Sequence, residues 1–358
     1  MHNKSGCAFR QPLLLCIFFR IMFRLVFDFQ LHIYVHRNDT LSDFSRSASR
    51  GKTKECTSPA WHDFCQEKIG QTRQEGRFST AANYHTALRS FQRFLHGEKL
   101  QLKDLTPALV AKYERWLKSS HISMNTISCY MRSLRALYNK AVEEKLVSDL
   151  QPFKAGYTGY PKTDKRSIGV EEIRKLQNLR LAPNSPLRLV RDIFLFCIFA
   201  CGIPFVDVAF LRKSQISEDG QLVYRRRKTN QQIRLKLPSC AMEIVRRYRS
   251  NDTDYVFPLL SSSGPEGTYR QYRIQLSSYN RQLKMLGKMA GISHNLTSYV
   301  SRHSWASLAY EHNTDVSVIS KGLGHTSSRT TYVYIKGIND KRLDEANRKI
   351  VKKITGGK

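Results

Sequence analysis

From Trp61 onward, apolar residues recur at helical spacing through most of the chain. Tyr84, Leu88, Phe91 and Leu95 fall at i, i+4, i+7 and i+11, the stripe of an amphipathic helix. Thr106-Pro107 supplies an N-cap followed by proline at the first helical position, and Leu109, Tyr113, Trp116 and Leu117 then line one face. Ser123 opens a third helix with Ile127, Tyr130, Leu134, Leu137 and Ala141 inside. Arg132, Arg135 and Asn139 lie opposite, as a solvated face or as a contact for a polyanion. Residues 58–150 therefore read as a compact helical domain.

Gln151 to Arg166, with Pro152, Gly156, Gly159 and Pro161, reads as an extended linker. A second domain, 167–340, mixes periods. Val170–Leu181, Leu187–Ala200, Tyr269–Ala290, Ser298–His312 and Val316–Lys321 are expected as helices, with Gly322 and Gly324 ending the last of these. Leu222–Arg227 and Gln231–Leu237 read as two strands around a Lys228-Thr229-Asn230 turn. Residues 341–358 close the chain with a basic helix striped by Leu343, Ala346, Ile350 and Ile354.

Charge narrows the partners. The 358 residues hold 59 Lys+Arg against 29 Asp+Glu, a net charge of +30. A surface so basic gathers anions, nucleic acid first and acidic membrane second. The longest uncharged run, Ile193 to Val206, is 14 residues and includes Gly202 and Pro204, too short for a bilayer span and suited to a core helix. Residues 1–57 read as an irregular, poorly ordered arm. Arg20, Arg24, Asp28, His32 and His36 recur every four residues there, so a basic helix on a membrane surface is the competing reading. Ser42 to Ser58 reads as a linker. Eight cysteines without a CxxC pair suggest a reduced, cytoplasmic protein without structural zinc, with Cys197 and Cys201 packed in a core.

Three segments could carry chemistry. Between Leu222 and Arg249 stand nine basic residues and one acid, Glu243. Strand alternation sends Arg225 and Arg227 to one face and Arg226, with Lys228, to the other. Arg302 opens an otherwise small and apolar helix, where a buried guanidinium needs an anion or carboxylate partner; a structural salt bridge would satisfy it as well as a ligand. Leu323-Gly324-His325 is followed by Tyr334, nine residues after the histidine. Alone, that histidine would be a cap and that tyrosine an ordinary core or surface residue.

In order and spacing, Arg302-His303, Leu323-Gly324-His325 and Tyr334 resemble the tyrosine recombinases, or phage integrase family, over residues 58 to 340. The resemblance implies a mainly α fold with a small β-sheet. A helical, SAM-like core-binding domain and a mixed α/β catalytic domain would form a C-shaped clamp on double-stranded DNA. It also implies roles. Tyr334 would attack the scissile phosphate, forming a 3′-phosphotyrosyl bond and freeing a 5′-hydroxyl. Lys228 would protonate that leaving oxygen. Arg302 and His325 would donate hydrogen bonds to the phosphate. Neither metal nor ATP is required. DNA contacts would come from Arg132, Arg135, Arg225, Arg227, Tyr299 and His303.

Two positions depart from the family pattern. Pro204 stands where the first catalytic arginine belongs, although Asp207 matches the acid three residues on, and Tyr299 replaces a histidine. These changes resemble a subgroup of mobile-element integrases and DNA invertases, in which an arginine two residues before the hairpin lysine takes the missing role. Arg226 stands there. The family implies four protomers on two DNA sites, each giving one Tyr334, from a chain monomeric when free, with accessory DNA-bending proteins as possible partners. A DNA-binding relative without catalysis and a topoisomerase IB-like enzyme are the alternatives. The short N-terminal arm, unlike a separate arm-site domain, points to a simple recombinase or invertase in the cytoplasm at the nucleoid.

Overall fold

The protein is seen here as a computed structural model that describes residues 59–161, 166–261, 264–332 and 340–355. The arm over residues 1–57 lies outside them. Four helices build the first core: α1 (Trp61–Gln74), α2 (Phe78–Phe94), α3 (Pro107–Ser119) and α4 (Met124–Glu143). Both expected caps are present. Thr106 Oγ1 accepts from Leu109 N at 3.3 Å and Ser123 Oγ from Thr126 N at 3.4 Å, each satisfying an amide that helix geometry leaves unpaired. Leu88, Phe91, Tyr113, Leu117, Ile127, Leu134, Leu137 and Ala141 are buried together, as their periodicity predicts, whereas Leu95, Leu109, Trp116 and Tyr130 are half-buried at the margin. Lys68 Nζ joins Glu144 Oε1 at 2.6 Å, tying α1 to the end of α4.

The segment expected as linker starts inside this core. Phe153 is fully buried against Tyr138, and Tyr157 N donates to Glu114 Oε2 at 3.0 Å. One aromatic side chain in a Pro/Gly-rich stretch finds a socket that composition does not reveal.

A second, larger core gathers α5 (Val170–Gln177), α6 (Pro186–Phe199), α7 (Phe205–Ala209), α8 (Ser239–Tyr248), α9 (Gly264–Met289) and the start of α10 (Val300–Glu311). The strands are shorter than expected: β1 (Gln221–Arg225) pairs antiparallel with β2 (Gln232–Lys236), Tyr224 opposite Ile233. Helices α7 and α8 were not legible in the pattern, α7 because five residues hold too little periodicity. Phe205 stacks on Tyr279 of α9 at 4.2 Å between ring centroids, which fixes α7 and hence Asp207. Cys197 is buried, but Cys201 is half-buried. A small third cluster joins α10 to α11 (Val316–Leu323) through Ala306, Ile319 and Leu323. The chain then forms α12 (Ser328–Tyr332) and α13 (Asp340–Ile354). Among the described residues no helix is long and apolar enough to cross a membrane.

Candidate active site

The site forms where the hairpin turn, α7, α10 and the end of α11 meet. Arg302, 1% exposed, is among the largest buried side chains of the protein. Backbone oxygens meet part of its guanidinium: Nη1 donates to Gly202 O at 2.7 Å and Nη2 to Leu323 O at 2.6 Å. These carbonyl dipoles take up hydrogens of Nη1 and Nη2 without cancelling the guanidinium charge. Gly202 presents its carbonyl from a left-handed turn (φ +69°) after α6.

Arg226 enters the same place from the opposite side. It is 5% exposed, and its Nη1 donates to Leu323 O at 2.8 Å, with Gly324 O at 3.3 Å. Two guanidinium groups thus converge on one carbonyl, that of Leu323, whose side chain is locked in the α10–α11 cluster. Asp207 is the counter-charge: Arg226 Nε lies 3.4 Å from Oδ2, and Arg227 N donates to Oδ1 at 3.0 Å. Burial pushes the Asp207 carboxyl up in pKa, against the Arg227 amide and the Arg226 and Arg302 charges, which pull it down. Gly324 makes the approach possible. Its φ is +63°, and a Cβ there would sit 2.5 Å from Arg226 Cδ.

His325 completes the cluster. Its Nε2 is 3.0 Å from Arg302 Nη2 and its Nδ1 is 2.9 Å from Thr331 Oγ1. Burial, then the charges of Arg302, Arg226 and Lys228, push its pKa down to about 4. The ring is therefore neutral near pH 7. Because a guanidinium can only donate, Nε2 accepts here, whereas the resemblance implies a donor to phosphate.

The remaining sequence candidates are distributed as follows. β1 ends at Arg225, so strand alternation does not carry through to Lys228: Arg226 is buried, while Lys228 is exposed on the turn and acts on His325 through its charge. Arg225 is exposed and donates to Asn230 O at 3.2 Å. Arg227 does not project freely; its guanidinium lies 3.8 Å above the Phe210 ring. Tyr299 is exposed at the start of α10, with its ring 6.1 Å from that of His303. Arg132 rests over the Tyr160 ring at 4.4 Å, and Arg135 is exposed one turn along α4. Pro204 caps α7 and has no side-chain donor. Tyr334 lies outside the described residues. Sequence reasoning missed the Gly202 and Leu323 carbonyls and Thr331; backbone acceptors leave no residue signature, and a lone threonine is unremarkable.

The chain matches the Phage integrase SAM-like domain over residues 61–156 and the Phage integrase family over residues 169–339. It is 23% identical over 258 residues to "Tyrosine recombinase XerD" of Shewanella oneidensis, covering 72% of this chain and 85% of that one. Its fold is similar to a lambda integrase tetramer bound to a Holliday junction (TM-score 0.59, 15% identity, 78% of each chain). It is also similar to the Tn1549 transposon integrase in complex with a circular intermediate DNA (TM-score 0.56, 14% identity, 80% of this chain and 99% of that one). The chain belongs to the phage integrase family and is a tyrosine-type site-specific DNA recombinase.

Proposed function

We propose that this recombinase is catalytically active despite Pro204 and Tyr299, with Arg226 as the second phosphate-binding arginine. The observation that carries the reading is the convergence of Arg226 and Arg302 on the Leu323 carbonyl at 2.8 and 2.6 Å. Two fixed guanidinium forks a hydrogen bond from one atom can grip one phosphodiester, whose charge grows as the nucleophile attacks. Asp207 orients Arg226 as an acid would orient the missing arginine. Tyr334 gives up its phenolic proton to solvent as it attacks the scissile phosphorus, a 3′-phosphotyrosyl bond forms, and the bond to the 5′-oxygen breaks as that oxygen takes a proton from Lys228. Reversal by the 5′-hydroxyl of a second duplex completes the exchange, so bond energy is conserved.

The DNA is double-stranded, carries paired recombination sites, and is held by exposed cations including Arg135 and Arg225. Four protomers act together. Ile350 and Ile354 on α13 are exposed, an apolar stripe that supports contact with a neighbouring protomer. The protein works in the cytoplasm at the nucleoid, as an integrase or invertase of a mobile element. The subgroup lacking the first arginine is the closest description of its site.

The test is Tyr334→Phe on a nicked duplex bearing the site footprinted in DNA flanking the gene. The wild-type chain should form an SDS-resistant adduct. The variant should bind equally and form none; an adduct with Tyr334→Phe would overturn the nucleophile, and none with wild type would favour a DNA-binding relative.

A further inference from the structure

His325 is held from both sides by groups whose chemistry settles where its proton sits. Arg302 Nη2, 3.0 Å from Nε2, can only donate, so Nε2 carries the lone pair and the neutral ring's proton is on Nδ1. Nδ1, at 2.9 Å, therefore donates to Thr331 Oγ1. Thr331 is completely buried on α12, the turn of helix that leads in sequence to Tyr334. A threonine hydroxyl within a helix commonly bonds back to a carbonyl of the preceding turn; here it meets an imidazole.

We propose that Thr331 is a positioning residue for His325: its hydroxyl oxygen accepts from Nδ1 and keeps Nε2 turned toward the pocket of Arg302 and Arg226, before and after the ring takes a proton. The inference rests on the reading of that pocket as the phosphate site. Without DNA, Nε2 is an acceptor for Arg302. Arg302 on α10, Arg226 and Lys228 on the hairpin turn, and Asp207 on α7 behind Arg226 set the local charge. A phosphodiester anion among these cations offsets their repulsion, and Nε2 takes a proton from solvent. The ring then has two N–H groups. Nδ1–H stays on Thr331, and the new Nε2–H donates to a phosphate oxygen, so the ring need not turn over when DNA arrives. A neutral hydroxyl suits this role, because a carboxylate in its place would favour the charged ring before DNA binds.

The experiment uses the full chain labelled with 15N-histidine, His325 being assigned through His325→Gln. Thr331→Val is nearly isosteric and removes the acceptor; Thr331→Ser restores it. In wild type the 15N pattern should show the Nδ1–H tautomer without DNA, and a protonated ring on the nicked flanking-site duplex. Thr331→Val should give mixed tautomers, unchanged site affinity, and adduct formation slowed about ten-fold or more, as for outer-shell partners of a reacting group. As pH rises its rate should begin to fall earlier than that of wild type, and acid should partly restore it, since the charged ring has lost an acceptor. Thr331→Ser should recover the wild-type pattern and rate. If Thr331→Val does not fold, Thr331→Ala carries the same expectations. An unchanged 15N pattern, an unchanged rate, or equal slowing by Thr331→Ser would overturn the proposal. Absence of any wild-type adduct would instead overturn the active-recombinase reading, and the 15N comparison would still decide the hold of Thr331 on His325.

Discussion

Replacing Arg226 with alanine tests the substitution of one arginine for another, and its effects on rate and stability can be separated. The change removes the donors to Leu323 O and Gly324 O and leaves Asp207 buried, with the Arg227 amide at 3.0 Å as its remaining close donor. Losing one preorganised donor to a developing oxyanion costs about 10²- to 10³-fold in rate, or roughly 3–4 kcal/mol. Stranding a buried carboxylate by removing its partner costs about 3–5 kcal/mol of stability. These costs have different remedies. Asp207→Asn added to Arg226→Ala removes the stranded charge and should recover a large part of the stability, but it supplies no cation to the phosphate. The assays are single-turnover adduct formation on a nicked site and the urea midpoint for each variant. The double variant should unfold later than Arg226→Ala while cleaving as slowly. Wild-type cleavage by Arg226→Ala, or recovery of cleavage together with stability, would refute the reasoning.

Three further outcomes follow from the same geometry. Arg225→Ala, at an exposed arginine on the strand end, should leave cleavage by bound protein nearly intact and reduce the salt dependence of DNA binding by about one phosphate, read from affinities across a salt series. His325 has its folded pKa pushed down to about 4, so the unfolded chain binds the extra proton first as pH falls. Its stabilising contribution is present above the ordinary imidazole pKa of about 6.5 and is lost toward the folded value. Thermal midpoints of wild type should fall over that window more steeply than those of His325→Gln, and parallel curves would contradict this. Deleting residues 341–358 should preserve half-site binding and abolish cooperative binding to the full site in gel-shift titrations; unchanged cooperativity would place α13 against its own domain.

The helical first core, the caps at Thr106 and Ser123 and the Arg302, His325 and Tyr334 spacing were legible in the sequence, because period, cap chemistry and motif order are local. Composition also pointed to a polyanion, since charge sums without regard to fold. The placement of Phe153 was not legible, because its socket is made by residues from elsewhere in the chain. Nor was the contrast between buried Arg226 and exposed Lys228: alternation holds only while the strand continues, and β1 stops at Arg225. Two of the partners of Arg302 are backbone carbonyls, from Gly202 and Leu323, 100 and 21 residues away, which no side-chain pattern can announce. Folding decided that these oxygens would gather two cations around one point, because a buried guanidinium must find acceptors and tertiary packing determines which carbonyls are within reach.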